Sequence, residues 1–156
     1  MPPPVRPATP ADAPAIARFN AAMALETEGL HLDPARLLAG VTRLLTDASK
    51  GFYIVAEIEG VLAGQLMITY EWSDWRNADF WWIQSVYVDP AHRRAGVFTV
   101  LYNEILRRAR QSNACGLRLY VEHANTRAQQ TYEKLGMSPA PYRAYEIDFV
   151  IDRKHD

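Results

Sequence analysis

The sequence predicts an α/β domain built on one mixed β-sheet. Segments that are rich in β-branched and aromatic residues alternate with segments in which apolar residues recur every three or four positions. Strands and helices that interleave along a chain are typical of a sheet covered by helices. No internal repeat or low-complexity linker divides the 156 residues, so we expect a single domain over residues 1–156.

The composition excludes several classes of protein. The chain is 49% apolar and 22% charged, which is typical of a globular protein and not of a disordered one. Its 17 basic and 18 acidic residues give a net charge of −1, which argues against a nucleic-acid partner. The first ten residues contain no apolar signal core, and no run approaches the ~18 apolar residues of a membrane span. We therefore expect a cytoplasmic protein with no membrane partner.

The first third of the chain predicts one short strand followed by two helices. Residues 5–8 form the strand, and residues 9–29 show the apolar spacing of a helix. A second helix is expected over residues 33–51, because Asp33 is a suitable N-cap and Gly51 a suitable end.

The middle of the chain predicts the core of the sheet. Residues 52–72 have the pattern of a β-hairpin that turns at Glu59 and Gly60. Residues 80–88 form a strand that is apolar on both faces, which indicates a central position.

The last third predicts one long helix, two strands and one short helix. The helix that follows "RRAGVF" carries an apolar face, and a strand is expected over residues 115–122. A short helix over residues 126–136 ends at Gly136. The alternation in "APYRAYEIDFVI" predicts a last strand over residues 140–151. The apolar face of the long helix consists of Phe98, Leu101, Tyr102, Ile105 and Ala109. The lone Cys115 permits no internal disulfide and is expected to be buried.

The start of the long helix has the chemistry of an anion site. The first turn of a helix carries unpaired backbone N–H groups and partial positive charge. Gly96 lets a ligand approach the backbone, and Arg93 and Arg94 add formal charge beside it. A diphosphate suits this arrangement best. The alternative is a solvated turn with two surface arginines. The stretch lacks both the G-x-G-x-x-G and the P-loop patterns.

The sequence context of this helix resembles the GNAT superfamily of acetyl-CoA-dependent N-acetyltransferases. "RRAGVF" follows "SVYVDP" and precedes "LYVEHANTRAQQTYEKLGM". The resemblance covers nearly the whole chain and is most specific at residues 86–98 and 119–137. It implies a three-layer domain in which helices flank a twisted, mostly antiparallel sheet that splays between its two central strands. It also implies transfer of an acetyl group from acetyl-CoA to a primary amine, with no metal ion.

The resemblance also implies where the chain would bind coenzyme A. Residues 93–98 fill the family's diphosphate motif [Q/R]-x-x-G-x-[G/A], with Phe98 where the family usually has Gly or Ala. The pantetheine arm would use backbone groups of Val86 and Val88, as an added strand would. Asn125 would reach the pantetheine, although a simple helix cap is the alternative. The implied contacts are Val86, Tyr87, Val88, Arg93, Arg94, Ala95, Gly96, Val97, Phe98, Thr99 and Asn125.

The catalytic residues that the resemblance implies are fewer. Tyr132 matches the family's tyrosine beside the coenzyme A sulfur; the alternative is a half-buried helix aromatic. Many relatives carry a glutamate on the strand before the diphosphate loop, but residues 82–85 contain no carboxylate. Gln84 can orient a water but cannot act as a base. Glu122 is our candidate base, while Glu26, Glu71, His123 and water alone stay open.

The resemblance implies that two segments form the acceptor pocket, residues 24–33 and 70–82. Carboxylates beside tryptophan faces suit an amine cation, so a small amine-bearing metabolite is the preferred acceptor. A protein N-terminus or lysine stays open, as does a coenzyme A-binding module without catalysis. The tryptophans could instead pack in the core or in a homodimer surface. The candidate acceptor residues are Glu26, Glu71, Trp72, Asp74, Trp75, Trp82 and Gln84.

Overall fold

The computed structural model describes residues 2–153. The strands are β1 (Val5–Pro7), β2 (Gly51–Ile58), β3 (Val61–Ser73), β4 (Ala78–Val88) and β5 (Gly116–Leu119). The helices are α1 (Ala13–Glu28), α2 (Pro34–Leu45), α3 (Val97–Gln111) and α4 (Thr126–Lys134), and short 3₁₀ turns cover Pro10–Asp12 and Pro90–His92. The chain forms two compact units that divide after Tyr120. The first unit contains the five strands and α1 to α3, and the second contains α4.

The five strands form one sheet in the order β1-β2-β3-β4-β5. The first three pairings are antiparallel and β4 pairs with β5 in parallel, which confirms the predicted mixed sheet. The β4–β5 ladder runs only from Phe80 opposite Gly116 to Ile83 opposite Leu119. The last five residues of β4 therefore have no partner in β5.

Helices cover both faces of this sheet. On one face, Ile16 of α1 and Val41 of α2 share a core with Tyr53 and Val55 of β2. On the other face, a Cβ at Gly64 would meet side-chain atoms of Val97 and Leu101 in α3. Because successive strand residues point to opposite faces, the sheet is the middle of three layers. Fully burying one Leu or Ile side chain contributes about 1.5–3 kcal/mol. The fully buried aliphatic side chains are Ile16, Ile54, Val55, Leu66, Ile68, Val97, Leu101 and Ile105.

The turn between β2 and β3 lies where the sequence predicts it. Glu59 and Gly60 have φ angles of 53° and 77°. Two successive positive φ angles define the type I′ turn that matches the twist of a hairpin. Within residues 2–153, no helix is both long and apolar enough to cross a membrane.

The predicted end of the second helix is wrong, because α2 stops at Leu45 and not at Gly51. Asp47 accepts hydrogen bonds from the backbone N–H and the hydroxyl of Ser49, at 3.1 and 2.6 Å. Such local bonds compete with helical ones. Gly51 instead opens β2, where a Cβ would lie 1.9 Å from the carbonyl oxygen of Ile68.

The predicted last strand is also absent, since residues 140–151 form neither strand nor helix. Tyr145, Ile147 and Phe149 are 92%, 81% and 92% exposed. The carboxylate of Asp148 accepts hydrogen bonds from the backbone N–H groups of Val150 and Ile151, both at 2.8 Å. This turn interrupts the extended backbone that the alternating pattern predicts. Cys115 is half-buried, with its thiol 3.7 Å from the carbonyl oxygen of Ala78.

Candidate functional site

The β4–α3 loop, residues 89–96, is anchored where it leaves the sheet. The Asp89 N–H donates to the carbonyl oxygen of Ala63 at 2.8 Å, and the Asp89 carboxylate accepts from the Ala91 N–H at 2.8 Å. The His92 N–H donates to the Asp89 carbonyl oxygen at 2.9 Å. These bonds hold a 3₁₀ turn that directs the chain into α3.

The end of this loop, residues 93–96, is exposed. Gly96 is the N-cap of α3 with φ 76° and ψ 15°, and no side chain caps the helix. A Cβ built on Gly96 would meet no heavy atom within 4 Å. Arg94 is exposed and has φ 71°, a left-handed conformation that costs about 1–2 kcal/mol. A helix start beside a guanidinium that has no partner among residues 2–153 suits an anion.

Arg93 is held differently, since its side chain already has partners. Its Nε donates to the Val88 carbonyl oxygen at 3.0 Å, and its Nη2 lies 2.9 Å from Oε2 of Glu26. The Tyr87 hydroxyl donates to Oε1 of the same carboxylate at 2.7 Å. The Tyr87 and Arg93 hydrogen bonds lower the pKa of Glu26. Burial, followed by the bond to Glu26, raises the pKa of Tyr87. Both oxygens of the predicted acceptor residue Glu26 are therefore engaged within the protein.

β4 contains a β-bulge just before the residues predicted to bind pantetheine. Gln65 of β3 lies opposite Tyr87, whereas Met67 lies opposite Gln84, so β4 has one residue more than β3 in this interval. Ser85, in the bulge, has φ 50°. A bulge bends its strand and increases the local twist. This bend lies where the β4–β5 ladder has already ended.

A buried polar network supports the bulge from the α1 side of the sheet. The fully buried Gln65 donates from Nε2 to the Ser85 carbonyl oxygen at 3.1 Å and to Oδ1 of Asn20 at 2.8 Å. Asn20 in turn donates to the hydroxyl of Tyr53 at 3.1 Å. Burial raises the pKa of Tyr53. The sequence analysis missed Gln65 and Asn20, although Asn20 is a polar residue between Ile16 and Ala24 on the buried stripe of α1.

Two predicted acceptor residues lie on β4 close to the bulge. Gln84 donates from its amide to the hydroxyl of Thr69 at 2.5 Å, which fixes its side chain. Trp82 stacks on Tyr120 with a centroid separation of 4.5 Å. These two side chains lie within four residues of Val86.

The other predicted acceptor residues lie at the far end of β4, around the β3–β4 turn. Trp72 and Trp75 are 61% and 84% exposed, so neither packs in the core. Asp74 accepts from the Trp75 N–H at 2.9 Å. Trp72 is opposite Asp79, and the seven residues from there to Val86 span roughly 23 Å of strand. The structure therefore separates these residues from the bulge. Glu71, nearby, forms an ion pair with Arg118.

The second unit places its predicted residues on and around α4. Asn125 caps this helix by accepting from the Ala128 N–H at 3.1 Å. Gln129 donates to the carbonyl oxygens of Glu122 and His123 at 3.0 and 3.1 Å, which fixes the turn before the helix. Burial raises the pKa of the half-buried Tyr132. The capping role of Asn125 is confirmed, and the roles of Asn125, Glu122 and Tyr132 toward a substrate stay predictions. Residues 2–153 contain no group of His, Cys, Asp or Glu side chains that could hold a metal ion.

The fold of the chain is that of the GNAT acetyltransferases. The chain matches the Acetyltransferase (GNAT) family over residues 19–137 and belongs to that family. A possible acetyltransferase from Clostridium difficile 630 is 45% identical, with a TM-score of 0.88 over 97% of this chain and 100% of that one.

More distant structures share the fold alone. A ribosomal-protein-alanine N-acetyltransferase from Brucella melitensis biovar Abortus 2308 is 18% identical, with a TM-score of 0.75 over 94% of this chain and 98% of that one. A predicted acetyltransferase with acetyl-CoA from Clostridium acetobutylicum is 15% identical, with a TM-score of 0.76 over 94% of this chain and 96% of that one.

Proposed function

We propose that the protein transfers the acetyl group of acetyl-CoA to the primary amine of a small metabolite or amino-acid-like acceptor. The observation that carries the donor assignment is the open, left-handed Gly96 at the start of α3, directly after a strand whose last residues have no β5 partner. Family membership supports the acetyltransferase class. A distant structure with the same fold was solved with acetyl-CoA, which agrees with this donor.

In this proposal the first unit binds the donor along one continuous path. The diphosphate rests against the backbone at Gly96, where α3 begins, and on Arg94, since both residues are exposed and both the helix start and the guanidinium carry positive charge. The pantetheine arm lies along residues 86–88, where backbone groups that β5 does not pair can bond to an amide-bearing chain, apart from the Val88 carbonyl oxygen, which accepts from Arg93. The bulge at Ser85 would turn the Val86 N–H toward the thioester carbonyl and stabilise the charge that develops on its oxygen.

The reaction forms one C–N bond and breaks one C–S bond. The amine nitrogen attacks the thioester carbonyl carbon, loses a proton to a base or to water, and the sulfur leaves as a thiolate. Tyr132 is the residue we propose to donate a hydrogen bond to that thiolate. A tyrosine hydroxyl, with an ordinary pKa of ~10, is protonated at neutral pH and can donate a hydrogen bond, and burial raises the pKa of Tyr132 further. Glu122 remains our candidate for the base.

We propose that the acceptor binds beside Trp82 and Gln84. Both side chains are held in place by Tyr120 and Thr69, and both lie close to Val86 along β4. An aromatic face favours a cationic amine. Residues around the β3–β4 turn could contact an acceptor only if it extended roughly 23 Å along β4.

A mass-spectrometric screen tests the function. The purified protein is incubated with acetyl-CoA and a panel of amines and amino acids, and acetylated products are scored together with free thiol. We expect one class of small amine to be acetylated in step with thiol release. If calorimetry shows acetyl-CoA binding but no amine releases thiol, the protein is a coenzyme A-binding module. If the protein neither binds acetyl-CoA nor turns over, the donor assignment fails.

A further inference from the structure

Three side chains from three elements meet beside the end of β4: Glu26 in the last turn of α1, Tyr87 on β4 and Arg93 in the β4–α3 loop. We propose that these three side chains form a clamp in which Glu26 and Arg93 are positioning residues. The formal charge that holds the donor's diphosphate then comes from Arg94, and the carboxylate that binds an acceptor amine is not Glu26. This inference rests on the proposed function, and it changes the roles that the family motif implies for two residues.

The geometry of Glu26 leaves it little capacity to bind an amine. One oxygen accepts from the Tyr87 hydroxyl at 2.7 Å and the other accepts from Nη2 of Arg93 at 2.9 Å. An amine at the same carboxylate would have to share or displace a charged hydrogen bond. The carboxylate is therefore used to tie α1 to the β4–α3 loop.

The Arg93 guanidinium is directed at groups of the protein and not at an anion. Its Nε donates to the Val88 carbonyl oxygen at 3.0 Å, so two of its donor atoms are directed at β4 and α1. Its guanidinium carbon also lies 5.4 Å from the centroid of the Tyr87 ring. A guanidinium placed in this way fixes the conformation of the loop through its side chain.

Burial explains why this clamp holds position better than an isolated surface pair. Glu26 and Arg93 are each partly exposed, with side-chain exposures of 41% and 48%, and an isolated pair of that kind contributes little. Tyr87, however, is only 6% exposed and packs against Phe19 of α1 with ring centroids 5.1 Å apart. Loss of Glu26 would leave the Tyr87 hydroxyl without this acceptor, so the three side chains act as a unit.

Arg94 provides a natural comparison within the same loop. It is exposed and, among residues 2–153, it forms no hydrogen bond or ion pair. The backbone of Arg94 is left-handed, with φ 71°, so its side chain leaves the loop in a different direction from the side chain of Arg93. Strained backbone persists where the surrounding structure requires it and is common at ligand sites. Of the two arginines, Arg94 is the one available to a diphosphate.

Calorimetry with coenzyme A separates the two arginines. We expect Arg94→Gln to weaken binding by about fivefold or more at low salt, with the effect shrinking at high salt because a solvent-exposed charge contact is screened. Arg93→Gln and Glu26→Gln should change the Kd by amounts within about twofold of each other and independent of salt. The double variant should be no weaker than the worse single variant, since residues of one network are not additive.

Two further measurements identify a positioning role. Hydrogen exchange in the last turn of α1 should accelerate in Arg93→Gln and Glu26→Gln but not in Arg94→Gln. With the amine found by the screen, both clamp variants should leave the acceptor KM within about twofold of wild type, because neither side chain contacts the amine, and Tm should change little. Arg94→Gln should instead raise the KM for acetyl-CoA.

One pattern would overturn the clamp: Arg93→Gln causing a salt-sensitive loss of coenzyme A binding while Glu26→Gln leaves affinity and exchange unchanged. Arg93 would then contact the diphosphate itself. Failure of the proposed function looks different, because the wild-type protein would not bind coenzyme A at all. The exchange measurement needs no ligand and would still decide whether Glu26 and Arg93 hold α1.

Discussion

Tyr132 is the residue to which the proposed chemistry assigns the most specific role. Its hydroxyl would donate a hydrogen bond to a thiolate that exists only late in the reaction. Hydrogen bonds to charged groups contribute about 1.5–3 kcal/mol. Transfer of the proton itself is less favourable, because a tyrosine of pKa ~10 is a weaker acid than a thiol of pKa ~8.5, and burial raises the pKa of Tyr132 further.

Tyr132→Phe should lower kcat by about 10- to 150-fold, since 1.36 kcal/mol corresponds to a factor of ten in rate. The ring and its packing are kept, so Tm should change little. Acetyl-CoA affinity should also hold, because an interaction confined to the transition state does not affect ground-state binding. The measurement is kcat at saturating substrates with chemistry rate-limiting. A kcat within twofold of the parent would reduce Tyr132 to a packed aromatic.

The contacts of Gln65 could not be predicted from the sequence. The start of α3 after Gly96 and the cap by Asn125 could be predicted because their signals are local in the sequence. Gln65 acts on Ser85, 20 residues away, and on Asn20, 45 residues away. Neither partnership leaves a local pattern, because both depend on which strands pair and on which face α1 packs. The bulge at Ser85 could not be predicted for the same reason.

At the scale of elements, the junction of β4 and α3 contains two left-handed residues, Arg94 and Gly96, and only Gly96 adopts this conformation without steric cost. Gly96→Ala adds a Cβ that meets no protein atom but would lie where the backbone meets the diphosphate. We expect coenzyme A affinity to fall about tenfold or more. Gly60→Ala is the matched control, because Gly60 has φ 77° and its Cβ would also meet nothing within 4 Å. Both variants should lose similar stability, about 1 kcal/mol. If calorimetry shows that Gly96→Ala and Gly60→Ala bind coenzyme A with equal affinity, the assignment of the β4–α3 loop to the diphosphate is contradicted.

The ion pair between Arg6 of β1 and Asp12, just before α1, predicts that the free energy of unfolding depends on pH. Nη1 and Nη2 of Arg6 donate to the two carboxylate oxygens of Asp12 at 2.8 and 2.9 Å, which lowers the pKa of Asp12. A carboxyl group whose pKa is lower in the folded state than in the unfolded state stabilises the protein at pH values above the unfolded-state pKa, which is near 3.9. This stabilisation is lost as pH falls. Asp12→Asn should therefore cost about 1 kcal/mol at pH 7.

The difference between wild type and Asp12→Asn should shrink as pH falls below about 5 and should be lost once Asp12 is protonated in the folded state, below its ordinary pKa. Urea unfolding at a series of pH values measures it. Asp74→Asn is the control, because Asp74 forms no ion pair among the described residues and bonds only within its own turn. A difference that stays constant from pH 7 to pH 3 would show that the Arg6–Asp12 pair does not set this dependence.

Most elements could be predicted from the sequence, and the two errors share one cause. Helices and strands of the first unit follow apolar periodicity and caps such as Asp33, whose carboxylate accepts from the Arg36 N–H. The end of α2 and the segment 140–151 were predicted from pattern alone. In both places an aspartate, Asp47 or Asp148, forms short-range hydrogen bonds that override the pattern. A strand also needs a partner, which an alternating pattern does not supply.

At the scale of the whole molecule, the length of β4 separates the donor end of the sheet from the β3–β4 turn. The β4–α3 loop begins after Val88, and Trp72 lies opposite Asp79, nine residues earlier, or roughly 30 Å along the strand. Trp75 lies in the turn beyond it and is 84% exposed. A change at this turn should therefore leave acetyl-CoA binding alone, and the effect on the acceptor should depend on how far the acceptor extends.

Trp75→Ala should leave the KM of a small amine within about twofold of wild type, because the side chain lies too far from Val86 to contact it. Trp82→Phe is the comparison, since Trp82 lies four residues from Val86 and should raise that KM if its ring faces the amine. With an extended acceptor such as a peptide, Trp75→Ala should raise KM because the chain can then reach the exposed indole. A severalfold rise with a small amine, at unchanged acetyl-CoA affinity and Tm, would place the turn in the acceptor site and contradict the separation along β4.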